Sequence, residues 1–545
     1  MKILLYFHTL KFLTFKQICF QVIYRIYRPS IKWVQFIPTL KIQQSNLIPA
    51  PPKRDSLLTS NEFVFFEKKG NLEIVGWNGN ERSKLWRYNQ HYFDHLNALD
   101  AGSKQDWHLS LLDHWIDQNK SPTSIGWDPY PTSLRIVNWV KWDLAYKGLS
   151  AERHQNLYSQ GLFLESRLEH HISGNHLIAN AKALIFLSFY FDGLDSIRWF
   201  KKGFAILSDE IEDQILTDGG NYERSPMYHC IFLEDLLDLI NFSKITLSAD
   251  ADKVIELLSP FIQPMLFWMN VMTHPNGNIP CFNDSANNVT TSPELLRSFA
   301  DRLGFESNVA GESYGLDYNY LKDSGYVAVY NDSLQMILDI GRLGPDKLLA
   351  HAHADTLSFE LAEGDECIFV NSGTSTYEPT PQRIFERSTR AHNTLEIDDV
   401  SSSQVWSSFR VAKRAVPFNI DVQKNRDSIL VQASHDGYKT LRGSPIHSRV
   451  WNVKQDNITI TDNLDSPVHS ATARYILHAS MRIHQISDNE VRIVTPKKIE
   501  LIFHVLTGFL KICDWQHTDN LGSLQDTYCL EIAALDGTCV VELMR

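Results

Sequence analysis

His351-Ala352-His353-Ala354-Asp355-Thr356-Leu357-Ser358-Phe359-Glu360-Leu361 puts two imidazoles and a carboxylate at the mouth of an alternating apolar run. In an extended segment residues two apart share a face, so His351 and His353 project together while Leu357, Phe359 and Leu361 point as a set into a core. The spacing predicts a β-strand whose leading edge carries chemistry. Imidazole is the commonest metal ligand and the side chain best suited to moving protons near neutral pH, which makes the pair a site candidate. Solvated histidines at the start of a surface strand are the structural alternative.

The pattern on either side of this stretch differs. From about residue 104 to 305 apolar residues recur at three- and four-residue intervals, predicting helices over 106–118, 132–146, 151–170, 176–192, 196–214, 226–244, 251–272 and 292–303. Short polar connections between long helices imply antiparallel hairpins. After about residue 320 the runs become short and β-rich, as at 326–330, 336–340, 429–433, 458–460 and 491–494, which predicts a β-sandwich. The division is thus residues 1–60 as an N-terminal helix and a linker containing Pro49, Pro51 and Pro52, 61–315 as a helical domain, and 316–545 as an antiparallel β-sandwich.

Composition narrows the partners. A net charge of −12 argues against a nucleic-acid binder working through a broad basic face. Seven scattered cysteines without CxxC spacing indicate neither a disulfide scaffold nor a cysteine zinc site. Residues 1–33 mix Lys2, Lys11, Lys16, Arg25 and Arg28 with apolar residues, and no uncharged stretch there is long enough to span a bilayer. The segment lacks a small-residue cleavage site and reads as a basic amphipathic helix that lies on a membrane or packs on the protein. A cytoplasmic or inner-membrane-associated location is favoured over a periplasmic one.

Four islands carry candidate chemistry. Trp86 to Phe93, with Asn89 and Tyr92, and Trp127 to Arg135 are dense in rings and donors and suit stacking on sugars; aromatic packing between helices is the alternative. In Ser173-Gly174-Asn175-His176, Asn175 occupies a helix N-cap position and His176 adds a functional group. In Asp218 to His229, Pro226 can open a helix whose first turn aims Tyr228 into a cleft, beside Glu223 and Arg224. In Arg383 to Leu395, Arg387 and Arg390 offer guanidinium forks for planar anions.

Taken in order, Asn-His, Glu-Arg-Ser-Pro-Met-Tyr-His, His-Ala-His-Ala-Asp and Arg-Ala-His-Asn-Thr resemble the heparinase II/III family, which includes alginate lyases, over most of residues 80–400. The resemblance implies an incomplete (α/α) toroid followed by an antiparallel β-sandwich, and β-elimination on an acidic, uronic-acid polysaccharide. It places Asn175 and His176 at the uronate carboxylate and makes Tyr228 and His351 the acid/base pair, with Tyr228 at the leaving oxygen. Substrate contacts are expected from Asn89, Tyr92, Arg135, Glu223, Arg224, Arg387 and Arg390. It also implies a zinc site of His353, Asn371 and His392. Position 371 is normally aspartate in the family, and a neutral amide is the poorer ligand, which weakens the expected site; an ion held there is expected to be more structural than catalytic.

Two rival readings remain. A hydrolase on the same fold needs two carboxylates facing one bond, for which Asp218, Glu223 and Asp284 are the candidates. A non-catalytic glycan-binding or assembly protein of capsule or exopolysaccharide production needs rings and arginines but no proton-transfer pair.

Overall fold

The computed structural model describes residues 2–42, 46–306 and 315–545. Helices Gln105–Gln118, Pro129–Tyr146, Ala151–Glu165, Gly174–Tyr190, Leu194–Gln214, Pro226–Ile245, Ala249–Val271 and Pro293–Arg302 follow the periodicity closely. Their starts are written in local chemistry. Ser150, Ser225, Ser248 and Ser292 each accept a backbone N–H from three residues on, and Pro226 and Pro293 occupy first-turn positions where a missing N–H costs nothing. At Gly174–Tyr190 the cap is Ser173, at φ +66°, and not Asn175, which lies inside the first turn. Successive helices pack as hairpins into an incomplete (α/α) toroid. Its core absorbs most of the tryptophan count, with Trp86, Trp115, Trp127, Trp139, Trp142, Trp199 and Trp268 all essentially inaccessible.

The second half is antiparallel throughout. Asp317–Leu321, Tyr326–Tyr330, Leu334–Asp339, Phe359–Glu363 and Glu366–Phe369 form a five-stranded meander, beside an eight-stranded sheet and a four-stranded sheet drawn mostly from residues 417–544. The strand predicted from His351 onward begins only at Phe359. Residues 351–358 form an irregular loop, with Leu357 at φ +64°. Leu357, Phe359 and Leu361 do enter the core, but the strand is buried on both faces, so Glu360 is buried too and is paired with His274 at 2.9 Å.

Toroid and sandwich are tied together at the helix start that carries Tyr228. Tyr326 Oη donates to the Arg224 carbonyl at 2.7 Å and Ser324 N donates to Asp218 at 2.7 Å, while within the toroid Ser225 Oγ donates to the Asp284 carbonyl at 2.7 Å. The N-terminal segment also packs on the body. Tyr6 of helix Lys2–Leu10 meets Trp406 edge-on, and Tyr24 of helix Phe15–Ile26 stacks on His171 at 4.0 Å. The proline-rich stretch expected as a linker is held as well, since Ile48 exchanges hydrogen bonds with Asn241 and Lys53 pairs with Glu234.

Candidate active site

A cleft of about 1640 Å³ runs between toroid and sandwich, and Asn175, His176, Tyr228 and His351 all line it. Tyr228 and His351 come from different domains, yet their rings lie 4.0 Å apart. Ser225 caps the helix through Tyr228 N and so fixes the backbone from which the phenol projects. Burial first, then the neighbouring Tyr377 and Asp284, push the Tyr228 hydroxyl well above the ordinary phenol range, so it is protonated at neutral pH. Tyr377, which the sequence reading did not single out, places its own hydroxyl 3.5 Å away.

His351 is oriented by Asp284. Its Nδ1 lies 2.9 Å from Asp284 Oδ2, which leaves Nε2 facing the cleft, 3.9 Å from Glu223. His353 Nε2 lies 2.8 Å from the other oxygen, and Arg383 clamps both oxygens through Nη1 and Nη2. Burial works against the Asp284 charge, but the Arg383 guanidinium and the two imidazole donors override it and hold the carboxyl well below its ordinary value. Glu223 is pushed the other way, raised by burial and only partly offset by His351 and His176. Asp218 is spent on backbone N–H groups of Asp323 and Ser324. Two free carboxylates flanking one bond, as hydrolysis requires, are therefore not assembled from the three candidates.

On the opposite wall His176 Nδ1 lies 3.1 Å from Glu169, which leaves Nε2 available, and its ring packs on Tyr130 at 4.3 Å. Of the expected substrate contacts, Asn89, Tyr92 and Glu223 line the cleft. The four arginines do not. Arg135 is fully buried, bonded to Gln160 and the Gly126 carbonyl and stacked on Trp115 at 3.9 Å. Arg224 turns to the carbonyls of Asp323 and Arg342. Arg387 is fully buried and braces the histidine loop through the Ala352 carbonyl at 2.8 Å. Arg390 is exposed beside Glu396 and Asp399. Arg135, Arg224 and Arg387 are thus committed to carbonyl and amide oxygens of the protein, whereas Arg390 sits beside two carboxylates at the surface. Trp86 and Trp127 are likewise core residues whose indole N–H groups meet the carbonyls of Lys68 and Asn119; the rings lining the cleft include Tyr24, Tyr88, Tyr92 and Tyr130.

The three residues expected to hold zinc fit it in part. His353 donates from Nε2 to Asp284, and His392 donates from Nδ1 to the Ser388 carbonyl at 2.7 Å, so neutral rings present bare nitrogens to each other across 3.1 Å. A cation suits that gap. Asn371 contributes only a neutral oxygen that already accepts the Asn393 N–H, while its Nδ2 faces Glu360.

The Heparinase II/III N-terminus family matches residues 148–306 and the Heparinase II/III-like, C-terminal family matches residues 315–523, together two thirds of the chain. A heparin-sulfate lyase of Bacteroides stercoris is 27% identical over 255 residues, covering 43% of this chain and 37% of that protein. A heparin-sulfate lyase of Bacteroides thetaiotaomicron is 26% identical over 342 residues, covering 54% and 48%. The aligned stretch thus spans less than half the length of either relative. The crystal structure of heparinase III superposes with a TM-score of 0.71 at 18% identity, covering 97% of this chain and 89% of that one.

Proposed function

This chain belongs to the heparinase II/III family, and from that membership we propose that it is a polysaccharide lyase cleaving a uronic-acid glycan by β-elimination. One observation carries the reading: in the cleft a phenol and an imidazole whose Nδ1 is held by Asp284 bring their rings within 4.0 Å of each other from two domains. Asn175 and His176 hold the uronate carboxylate, which makes the C5 proton acidic. His351 Nε2 removes that proton, and the positive charge it gains is stabilised by Asp284 through Nδ1. Tyr228, whose hydroxyl is held protonated, gives its proton to the departing O4. The bond from C4 to oxygen breaks, and the C4–C5 double bond forms.

The lining also bears on the substrate. Among the described residues eight Lys or Arg and ten Asp or Glu line the cleft, and Lys53, Lys141 and Lys182 are already paired with Glu234, Asp235 and Asp238. A densely sulfated chain would meet a lining with no cationic surplus, so the reading favours a polymer carrying little beyond its uronate charges. Incubation with unsulfated and sulfated uronic-acid polymers, following ultraviolet absorbance of the new double bond, tests both points. Absorbance growing fastest on the unsulfated polymers is expected. A preference for the sulfated ones would refute the charge reading alone. New reducing ends without absorbance would favour a hydrolase, and binding without products an assembly protein.

We assign zinc, when bound by His353 and His392 with Asn371, a structural part: it would supply positive charge that holds the loop behind His351. The reaction above runs without it.

The N-terminal segment suits an anionic membrane surface. Residues 1–54 hold nine Lys or Arg and neither Asp nor Glu, so the remainder of a chain of net −12 stands at −21. Helices Lys2–Leu10 and Phe15–Ile26 leave Leu4, Phe7, Phe15 and Ile26 more than 60% exposed. Basic charge beside an unburied apolar face is the pattern of interfacial helices, and attraction to acidic lipid accords with a location at the inner face of the membrane. Co-sedimentation with phosphatidylglycerol vesicles, lost on phosphatidylcholine and in a Phe15→Glu, Ile26→Glu variant, is expected; equal binding by that variant would remove this assignment.

A further inference from the structure

We propose that His478, His517 and Asp519 form a second metal site, for a divalent transition ion of the Zn2+ type, on the sandwich side of the domain boundary. His517 ends strand Phe509–His517, Asp519 follows two residues later, and His478 lies just beyond strand Ala471–Ile476. One ligand atom from each lies within 4.8 Å of the other two. Asp519 Oδ1 is 3.1 Å from His517 Nε2, and Oδ2 is 3.2 Å from His478 Nε2. Two donors about 2.05 Å from a tetrahedral ion stand about 3.3 Å apart, so an ion seated here would draw the two imidazole nitrogens in around the Asp519 carboxylate.

Proton placement supplies an independent pointer. His517 Nδ1 lies 3.1 Å from the Asn371 carbonyl, which can only accept, so the ring proton of a neutral His517 is on Nδ1. Nε2 then faces a carboxylate oxygen, a position that either a second ring proton or a metal ion can fill. Donation of the far ring N–H to a carbonyl is also how metal-bound imidazoles are held. At His478 the Nδ1 accepts the Ser480 backbone N–H at 3.2 Å and lies 2.6 Å from the Ser480 hydroxyl, so in a neutral ring the proton is on Nε2, facing Asp519, and a bound ion would displace it. His517 is fully buried, whereas the side chains of His478 and Asp519 are each 23% exposed, leaving an entry path and room for a water as fourth ligand.

The placement gives the ion a structural task. Asn287 N donates to the Asp519 carbonyl at 2.8 Å, and Asn288 exchanges hydrogen bonds with Leu521. A metal here would fasten the loop after His517 to the segment that presents Asp284, and does not depend on the pair His353 and His392.

Zn2+ titration of the metal-stripped full chain by equilibrium dialysis tests the site, with His478→Ala, Asp519→Asn and, for the other pair, His392→Ala. Loss of one bound equivalent and of the matching zinc-induced rise in Tm is expected in the first two variants but not for this site in the third. Wild-type stoichiometry in His478→Ala, whose partly exposed side chain makes it the safer variant, would overturn the proposal. So would an imidazolium signal from His517 at saturating zinc, which would show a proton in the metal's place.

Discussion

His351 Nδ1 lies 2.9 Å from Asp284 Oδ2, and this contact from sandwich loop to toroid edge decides which imidazole nitrogen faces the cleft. Arg383 keeps the carboxylate charged, and His353 shares it. The proton-transfer group is thus set by a buried ion cluster and not by its own surroundings alone.

Asp284→Asn should damage activity more than its absence from the reacting atoms suggests. The amide can no longer fix the His351 tautomer or balance Arg383. Turnover should fall by about a hundredfold or more, and stability by about 3–5 kcal/mol. Steady-state rates and thermal melts check both; unchanged kcat would mean that another group orients His351.

Tyr228→Phe should separate chemistry from folding. Among the described residues its hydroxyl has Tyr377, at 3.5 Å, as its hydrogen-bond partner, so Tm should scarcely move. Loss of the acid at O4 should lower kcat by about 10²–10⁴-fold while glycan binding persists. Calorimetric binding alongside rates distinguishes this from a binding defect, which would show as lost affinity.

Arg387 and Arg390 were grouped together by sequence but should behave oppositely. Arg387→Ala strands the Ala352 carbonyl inside the protein and should cost about 2–4 kcal/mol. Arg390→Ala, at the surface, should change stability by less than about 0.5 kcal/mol and leave KM unaltered. A raised KM for Arg390→Ala would restore it as a substrate contact.

Acid should weaken the fold well before carboxylates titrate. Burial holds His91 and His229 down at about 3, against about 6.5 when unfolded. Between those values the unfolded chain binds more protons than the folded one, so stability is full above about pH 6.5 and declines as pH falls toward about 3. A Tm lower at about pH 5 than at about pH 7.5 is expected; a flat profile would mean these rings are protonated in the fold.

Local patterns carried much of the molecule. Helix spans, the change to period two and the order of the Asn-His, Tyr and His islands are properties of neighbouring residues, and the toroid, the sandwich and seven of the cleft's side chains could be read from them. The misplaced residues have a common cause. A guanidinium or an indole reads the same whether it awaits a ligand or satisfies a buried carbonyl, and Arg135, Arg387, Trp86 and Trp127 proved to do the latter. Asp284 meets His351 across 67 positions and Arg383 across 99, and no local spacing encodes such a meeting. The sequence by itself determined which elements form and which chemical groups the chain carries; the tertiary structure alone decided which of those groups meet, because desolvation and charge pairing act on neighbours in space.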